Sequence, residues 1–150
     1  MATIIIHGTP KKITRQQLRE AAVFFSDILL KRLSKNVTVV FKLKNNLYKR
    51  TRCFGFATWT DEEARSDRHR EFEIELESNM GPVFMYRTIA HELVHVKQYA
   101  RAELVHPRHY GNYQKWNGFM FNEHLVGYKD LPWEQEAHKL ELELYQMWKD

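Results

Sequence analysis

The chain has little of what marks secreted, fibrous or membrane-spanning proteins. It holds one cysteine, Cys53, so no internal disulfide can form and a reducing compartment, the cytoplasm, is expected. Its longest largely apolar stretches, such as Ala21–Phe25 and Val37–Phe41, fall far short of the roughly 20 residues a membrane span requires. The opening Met-Ala-Thr-Ile-Ile-Ile-His-Gly has neither the basic start nor the apolar run of a signal peptide. With 6 Gly and 4 Pro there is no linker-like tract, and no internal repeat stands out. One domain over residues 1–150 is expected. The net charge of +4 is too small to keep such a chain unfolded.

What is present is core-forming material. Hydrophobic residues make up 43% of 150 positions, with 9 Phe, 7 Tyr and 4 Trp, enough for one self-sufficient core. Thr3–His7 is a β-branched run and reads as a strand. From Thr14 to Leu33, Leu18, Ala21, Ala22, Phe25, Ile28 and Leu29 recur at helical spacing, with Thr14 as N-cap. Val37–Lys44 and Tyr48–Trp59 read as two strands joined by the turn-prone Asn45-Asn46. Phe72, Ile74 and Leu76 alternate with Glu71, Glu73, Glu75 and Glu77, a third strand with one wet face. A helix is expected from about Val83 to Ala102, and another over Pro132–Lys149 with Pro in its first turn. His106–Asp130 shows no clear periodicity. This order implies an α+β fold rather than a doubly wound sheet.

Lys42, Lys44, Lys49, Arg50 and Arg52 form a basic ribbon beside Phe41 and Tyr48, suited to weak nucleic-acid contact through phosphates. The competing reading is a solvated strand edge kept soluble by its charges. Cys53 lies in a strand-like aromatic run and is expected to be a small buried residue.

His91-Glu92-Leu93-Val94-His95 carries the chemistry. Four residues apart on a helix, His91 and His95 stand one turn apart on one face. Two imidazoles so placed hold one Zn²⁺ through ring nitrogens at about 2.0–2.1 Å. Glu92 lies about 60° around the axis from His95, at about 100° per residue, so it reaches a metal-bound water without being a ligand. Two ligands and a carboxylate base are the parts of metal-assisted hydrolysis. Met85, Ile89, Leu93, Val96 and Ala100 cluster on the opposite side of the helix, which leaves the histidines facing a cleft. The alternative is a pair of surface histidines on an amphipathic helix. His7, His69 and His124 have no ligand spacing and read as surface or packing residues.

The segment Thr88-Ile89-Ala90-His91-Glu92-Leu93-Val94-His95-Val96-Lys97-Gln98-Tyr99 resembles the active-site helix of zincin metallopeptidases, especially the small SprT-like and phage-encoded zinc peptidases. The distal Tyr128-Lys129-Asp130-Leu131-Pro132-Trp133-Glu134-Gln135-Glu136-Ala137-His138 is similar to what such proteins carry after that helix. The resemblance spans about Met85 to His138. It implies a single zincin-like domain: an N-terminal helix, a small mostly antiparallel sheet with an edge strand, the HExxH helix and a C-terminal helix. It also implies a zinc-dependent endopeptidase located in the cytoplasm, that of the host if phage-encoded.

A catalytic zinc needs a third protein ligand. The metzincin continuation is absent, since Gln98 and Arg101 stand at the corresponding places. The gluzincin pattern implies a Glu on a later helix with a polar partner four residues on. Glu134 followed by His138 matches it, with His where Asp is usual. Glu136 is an alternative ligand, and so is His109, which follows His95 at roughly the distance of the third histidine in SprT-like proteins. His138, Tyr128 and Tyr113 are candidates for stabilising the oxyanion. Family likeness also puts Glu71–Glu77 in the place of the edge strand that binds a protein or peptide substrate by β-augmentation. Two other functions fit the motif: a zinc-bearing DNA-associated or regulatory module with little turnover, and a virion or interaction protein whose metal only staples the fold.

Overall fold

The computed structural model describes residues 1–65, 68–106 and 111–150. Strand β1 (Thr3–His7) leads into helix α1 (Arg15–Leu30). The start of α1 is a capping box: Thr14 Oγ1 accepts from the Gln17 amide, and Gln17 Oε1 accepts from the Thr14 amide, both at 2.9 Å. Leu18, Ala21, Ala22, Phe25 and Leu29 are buried, while Ile28 lies on the margin. A 3-10 segment, Lys31–Asn36, leads to β2 (Thr38–Lys44), followed by a short helix α2 (Leu47–Thr51), β3 (Gly55–Trp59) and β4 (Glu71–Glu77). Helix α3 (Pro82–Ala100) carries the HExxH motif. A second region, β5 (Leu104–Val105), β6 (Tyr113–Trp116) and β7 (Phe119–Asn122), precedes the 3-10 turn Tyr128–Asp130 and helix α4 (Pro132–Lys149).

The principal sheet has the order β1-β2-β4-β3. Strand alternation sends Ile4, Ile6, Val39, Phe41, Phe72, Ile74 and Leu76 to one face, where they are buried against the helices. The opposite face is polar: Lys42 Nζ lies 2.6 Å from Glu73 Oε1, and Lys44 Nζ lies 3.9 Å from Glu75 Oε1. Helix α3 packs across the inner face, flanked by α1 and α4. Trp148 of α4 meets Phe24 and Phe25 of α1 edge-on at 5.3 and 5.9 Å, tying the two outer helices together. The fold is α+β with a single main core, as the pattern implied, and α4 covers the expected residues. Among the described residues no helix is long and apolar enough to cross a membrane.

Four local expectations are corrected. The principal sheet is not mostly antiparallel: β1–β2 and β2–β4 are parallel, and β3–β4 alone is antiparallel there. Glu71–Glu77 is an interior strand, and the edge beside α3 is β3. Alternation reports the two faces of a strand, whereas edge position is decided by backbone neighbours, which leave no side-chain pattern. Tyr48–Trp59 is not one strand. Because β4 inserts between β2 and β3, the chain must step sideways, and α2 makes that step between Asn46 and Arg52, both left-handed at φ 62° and 63°. Cys53 therefore falls in the link after α2, where it is exposed rather than buried.

The sheet's two edges differ. Arg15 donates to the carbonyls of Ile6 (2.8 Å) and Gly8 (3.0 Å), and Arg19 to that of Ile4, so α1 covers the β1 edge. At the other edge Gly55 passes close to α3. A Cβ there would lie 3.1 Å from Glu92 Cγ and 3.2 Å from Thr88 Cγ2.

Thr14→Ala removes one half of the α1 capping box and is expected to cost about 1 kcal/mol. Urea unfolding checks this, with a lowered midpoint at unchanged slope as the expected outcome.

Candidate metal centre

On α3, His91 and His95 stand one turn apart with ring centroids 5.0 Å from each other. The two ring planes lie 80° apart, yet each ring uses its nitrogens in the same way. His91 donates from Nδ1 to Glu141 Oε1 at 3.0 Å, and His95 from Nδ1 to Gln98 Oε1 at 2.8 Å. Both Nε2 atoms then turn inward and meet a single oxygen, Glu134 Oε1, at 3.3 and 3.2 Å. Donors bound to one zinc at about 2.0–2.1 Å at tetrahedral corners are about 3.3–3.4 Å apart. Two imidazoles and a carboxylate are a donor set that suits Zn²⁺, and the two nitrogen–oxygen distances match that spacing.

Glu134 reaches this point because the start of α4 is anchored. Trp133 packs beside Trp116 and Phe121, with centroids at 6.3 and 5.9 Å, in a small core shared with Leu104 and Leu131. Gln98, fully buried, joins the two helices. Its Oε1 holds His95, while its Nε2 donates to the Trp133 carbonyl at 2.9 Å and to Glu136 Oε1 at 3.1 Å. Glu136 is drawn the other way, to Lys97 Nζ at 2.9 Å, and does not join the histidines. His109 lies outside the described residues.

His138 sits at the rim, with 57% of its side chain exposed. Its Nδ1 is 3.2 Å from Glu141 Oε1 and its Nε2 3.4 Å from the Tyr128 hydroxyl. His91, Glu134 and His138 together offer three donor atoms within 4.8 Å of one another, a group that does not include His95. His95 Nε2 meets Glu134 Oε1 directly, at 3.2 Å, whereas His138 pairs with Tyr128 and Glu141 and not with that carboxylate. The carboxylate that supports His91 is Glu141, three residues beyond His138, with Arg87 Nε on its other oxygen at 3.1 Å.

Gln98 and Glu141 escaped the sequence reading, although helical spacing points to both. Gln98 is three residues after His95, and Glu141 is seven after Glu134, each on the same face as its partner. The hairpin of β6 and β7 was missed too. Its signal was Asn117-Gly118, whose φ values of 49° and 88° are those of a tight hairpin turn.

Electrostatics follow from the crowding of carboxylates. Burial works against a charged His91, yet its hydrogen bonds to Glu134 and Glu141 outweigh burial and raise it to about 10. His95 is raised for the same reason, through Glu134. Glu134 moves in the opposite direction, far below the usual carboxylate range, because both imidazoles hold its charge against the effect of burial. In the ion-free protein, protons on the histidines therefore supply the positive charge. Glu92 is different. It is 6% exposed, burial pushes its pKa up, and it makes no hydrogen bond or ion pair with any described residue.

The centre opens into a cleft of about 350 Å³ between β3 and the second sheet. Gly55, Phe56 and Ala57 form one wall and Gln114 and Glu123 the other, with Tyr128 at the mouth. The Tyr128 hydroxyl donates to Glu134 Oε1 at 3.0 Å. Tyr113 and His138 do not line the cleft. The basic ribbon is divided: Lys42 and Lys44 face Glu73 and Glu75, Lys49 and Arg50 lie on α2, and Arg52 ends that helix. His69, read as a packing residue, is buried against Asp61 at 2.9 Å and stacked on Trp59. No family model, curated protein or solved structure gives a match to this chain.

Gln98→Ala and Glu141→Ala are each expected to weaken zinc binding by about 10–100-fold, read by competition with a chromophoric chelator. Zinc must displace histidine protons, so its apparent affinity should rise about tenfold per pH unit for each proton released near neutrality. The stability of the ion-free protein has the opposite sign. A raised His91 contributes in full below its ordinary value of 6.5, and that contribution fades as pH climbs toward about 10. Thermal melts of chelator-treated protein should fall over this window, and zinc should rescue most at its upper end.

Proposed function

We propose that this protein is a zinc-dependent metallopeptidase of the zincin type, with the ion held by His91, His95 and Glu134. The observation that carries this reading is the meeting of both imidazole Nε2 atoms on Glu134 Oε1, at 3.3 and 3.2 Å. When bound there, Zn²⁺ would act as the Lewis acid that polarises a peptide carbonyl and activates water.

The residues around the ion have separate tasks. Glu92, buried at the cleft and otherwise uncommitted, accepts the proton of the attacking water and returns it to the leaving amine. Tyr128 already donates a hydrogen bond at the centre and is placed to serve the developing oxyanion. His138, first considered for that task, instead braces Tyr128 and Glu141 from the rim. Glu141 and Gln98 hold the two ring orientations. The open edge of β3 takes the peptide as an added strand along the cleft. An exposed free thiol at Cys53 accords with a reducing compartment such as the cytoplasm. A nucleic-acid role through the ribbon has less support, because Lys42 and Lys44 spend their charge on neighbouring glutamates.

Glu92→Gln should keep its zinc while peptide hydrolysis falls by about 10²–10⁴-fold, and His91→Ala should lose both. Metal analysis alongside cleavage of a fluorogenic peptide library tests the pair. Wild-type turnover in Glu92→Gln would overturn the assignment of the base. Gly55→Ala crowds Glu92 and Thr88 by a few tenths of an ångström. It is expected to lower kcat by about tenfold with zinc content unchanged.

A further inference from the structure

The wall of the cleft facing β3 carries acceptors that the hydrolytic centre does not use. Glu123 follows β7 and lines the cleft with Gln114 of β6. Gln114 Nε2 donates to Glu123 Oε1, and no Lys, Arg or His among the described residues pairs with that carboxylate. Gln114 Oε1 is buried with no hydrogen-bond partner among the described residues. This corner thus presents a carboxylate and an amide oxygen that no cation or spare donor among the described residues answers.

Its surroundings are apolar. Leu104 and Trp133, 3% and 5% exposed, form the floor beside Tyr99. Burial and the nearby carboxylates Glu123, Glu134 and Glu92 together raise the Tyr99 phenol to about 12, so it stays neutral and adds no charge to the corner. Glu134 and Glu92 have the histidines, or an ion held by them, as counter-charge. Glu123 has none.

A lysine or arginine side chain matches both features. Its stem is apolar and packs on hydrophobic surface. Its head carries only donors, three on an ammonium and five on a guanidinium. We propose that Gln114 and Glu123 form a specificity subsite for a basic side chain of the bound peptide, with the stem on Leu104 and Trp133. The substrate class rests on the peptidase reading above. A rotation of the Gln114 side chain brings its free oxygen onto the same head group.

The test is calorimetric titration of blocked alanine pentapeptides, with Lys, Arg, norleucine or Glu at the centre, into zinc-loaded Glu92→Gln protein. The Lys and Arg peptides are expected to bind about tenfold tighter than the norleucine peptide, with Glu weakest. Glu123→Gln in the same background should bring Lys and norleucine within about twofold, and Glu123→Lys should favour the Glu peptide. Circular dichroism checks that these exposed-site variants stay folded. Equal affinities for Lys and norleucine, a gap that survives Glu123→Gln, or no binding of any peptide would each overturn the subsite. Cleavage of the same peptides by wild-type protein is scored separately. A basic preference in binding without cleavage upholds the subsite and overturns the peptidase reading, whereas cleavage without that preference does the reverse.

Discussion

Two imidazoles on one helix and one carboxylate on another must arrive at a common point, and the amide of Gln98 is what makes them do so. An amide buried without partners costs a few kcal/mol, so a fully buried Gln is tolerated only where both of its ends are engaged. Here one end fixes the tautomer and tilt of His95, while the other grips the main chain of Trp133, the residue before Glu134. Neither helix can slide against the other without breaking a bond to this side chain. The positions of His95 and Glu134 are thereby coupled. Glu141 does the same for His91 from α4, and Arg87 of α3 steadies Glu141 in turn.

The sheet contributes by leaving only one of its margins available. Arginines from α1 occupy the carbonyls of β1, which closes that edge to further pairing. The β3 margin stays open where the strand crosses α3, and a glycine permits the close crossing. A larger residue at position 55 would meet the Glu92 side chain, so the geometry of the edge strand and that of Glu92 are linked. The second sheet supplies the opposite wall of the cleft. It rests on the same Trp133 that sets the start of α4, so the candidate metal centre and the far wall of the cleft share one anchor.

Charge is arranged with similar economy. On the outer face of the sheet, lysines of β2 answer glutamates of β4 across the strands. In the cleft, carboxylates line the walls without a lysine or arginine among the described residues. The raised histidines and the depressed Glu134 have one cause, the contact of two imidazoles with one carboxylate oxygen.

Helix periodicity and capping were legible in the chain itself, because both depend on neighbours three and four residues away. Thr14, the stripe from Met85 to Ala100, the span of α4 and the pairing of His91 with His95 were readable on those grounds. Glu134 was legible only through likeness to a family pattern, and what sets it apart from Glu136 is the pull of Gln98 and Lys97 from another helix. The neighbours of β4, the exposure of Cys53 and the placement of Gln98 and Glu141 against the histidines and of Glu123 in the cleft wall were decided by tertiary structure. Each depends on a partner far away in sequence, and local spacing carries no record of which distant backbone or side chain will come to lie alongside.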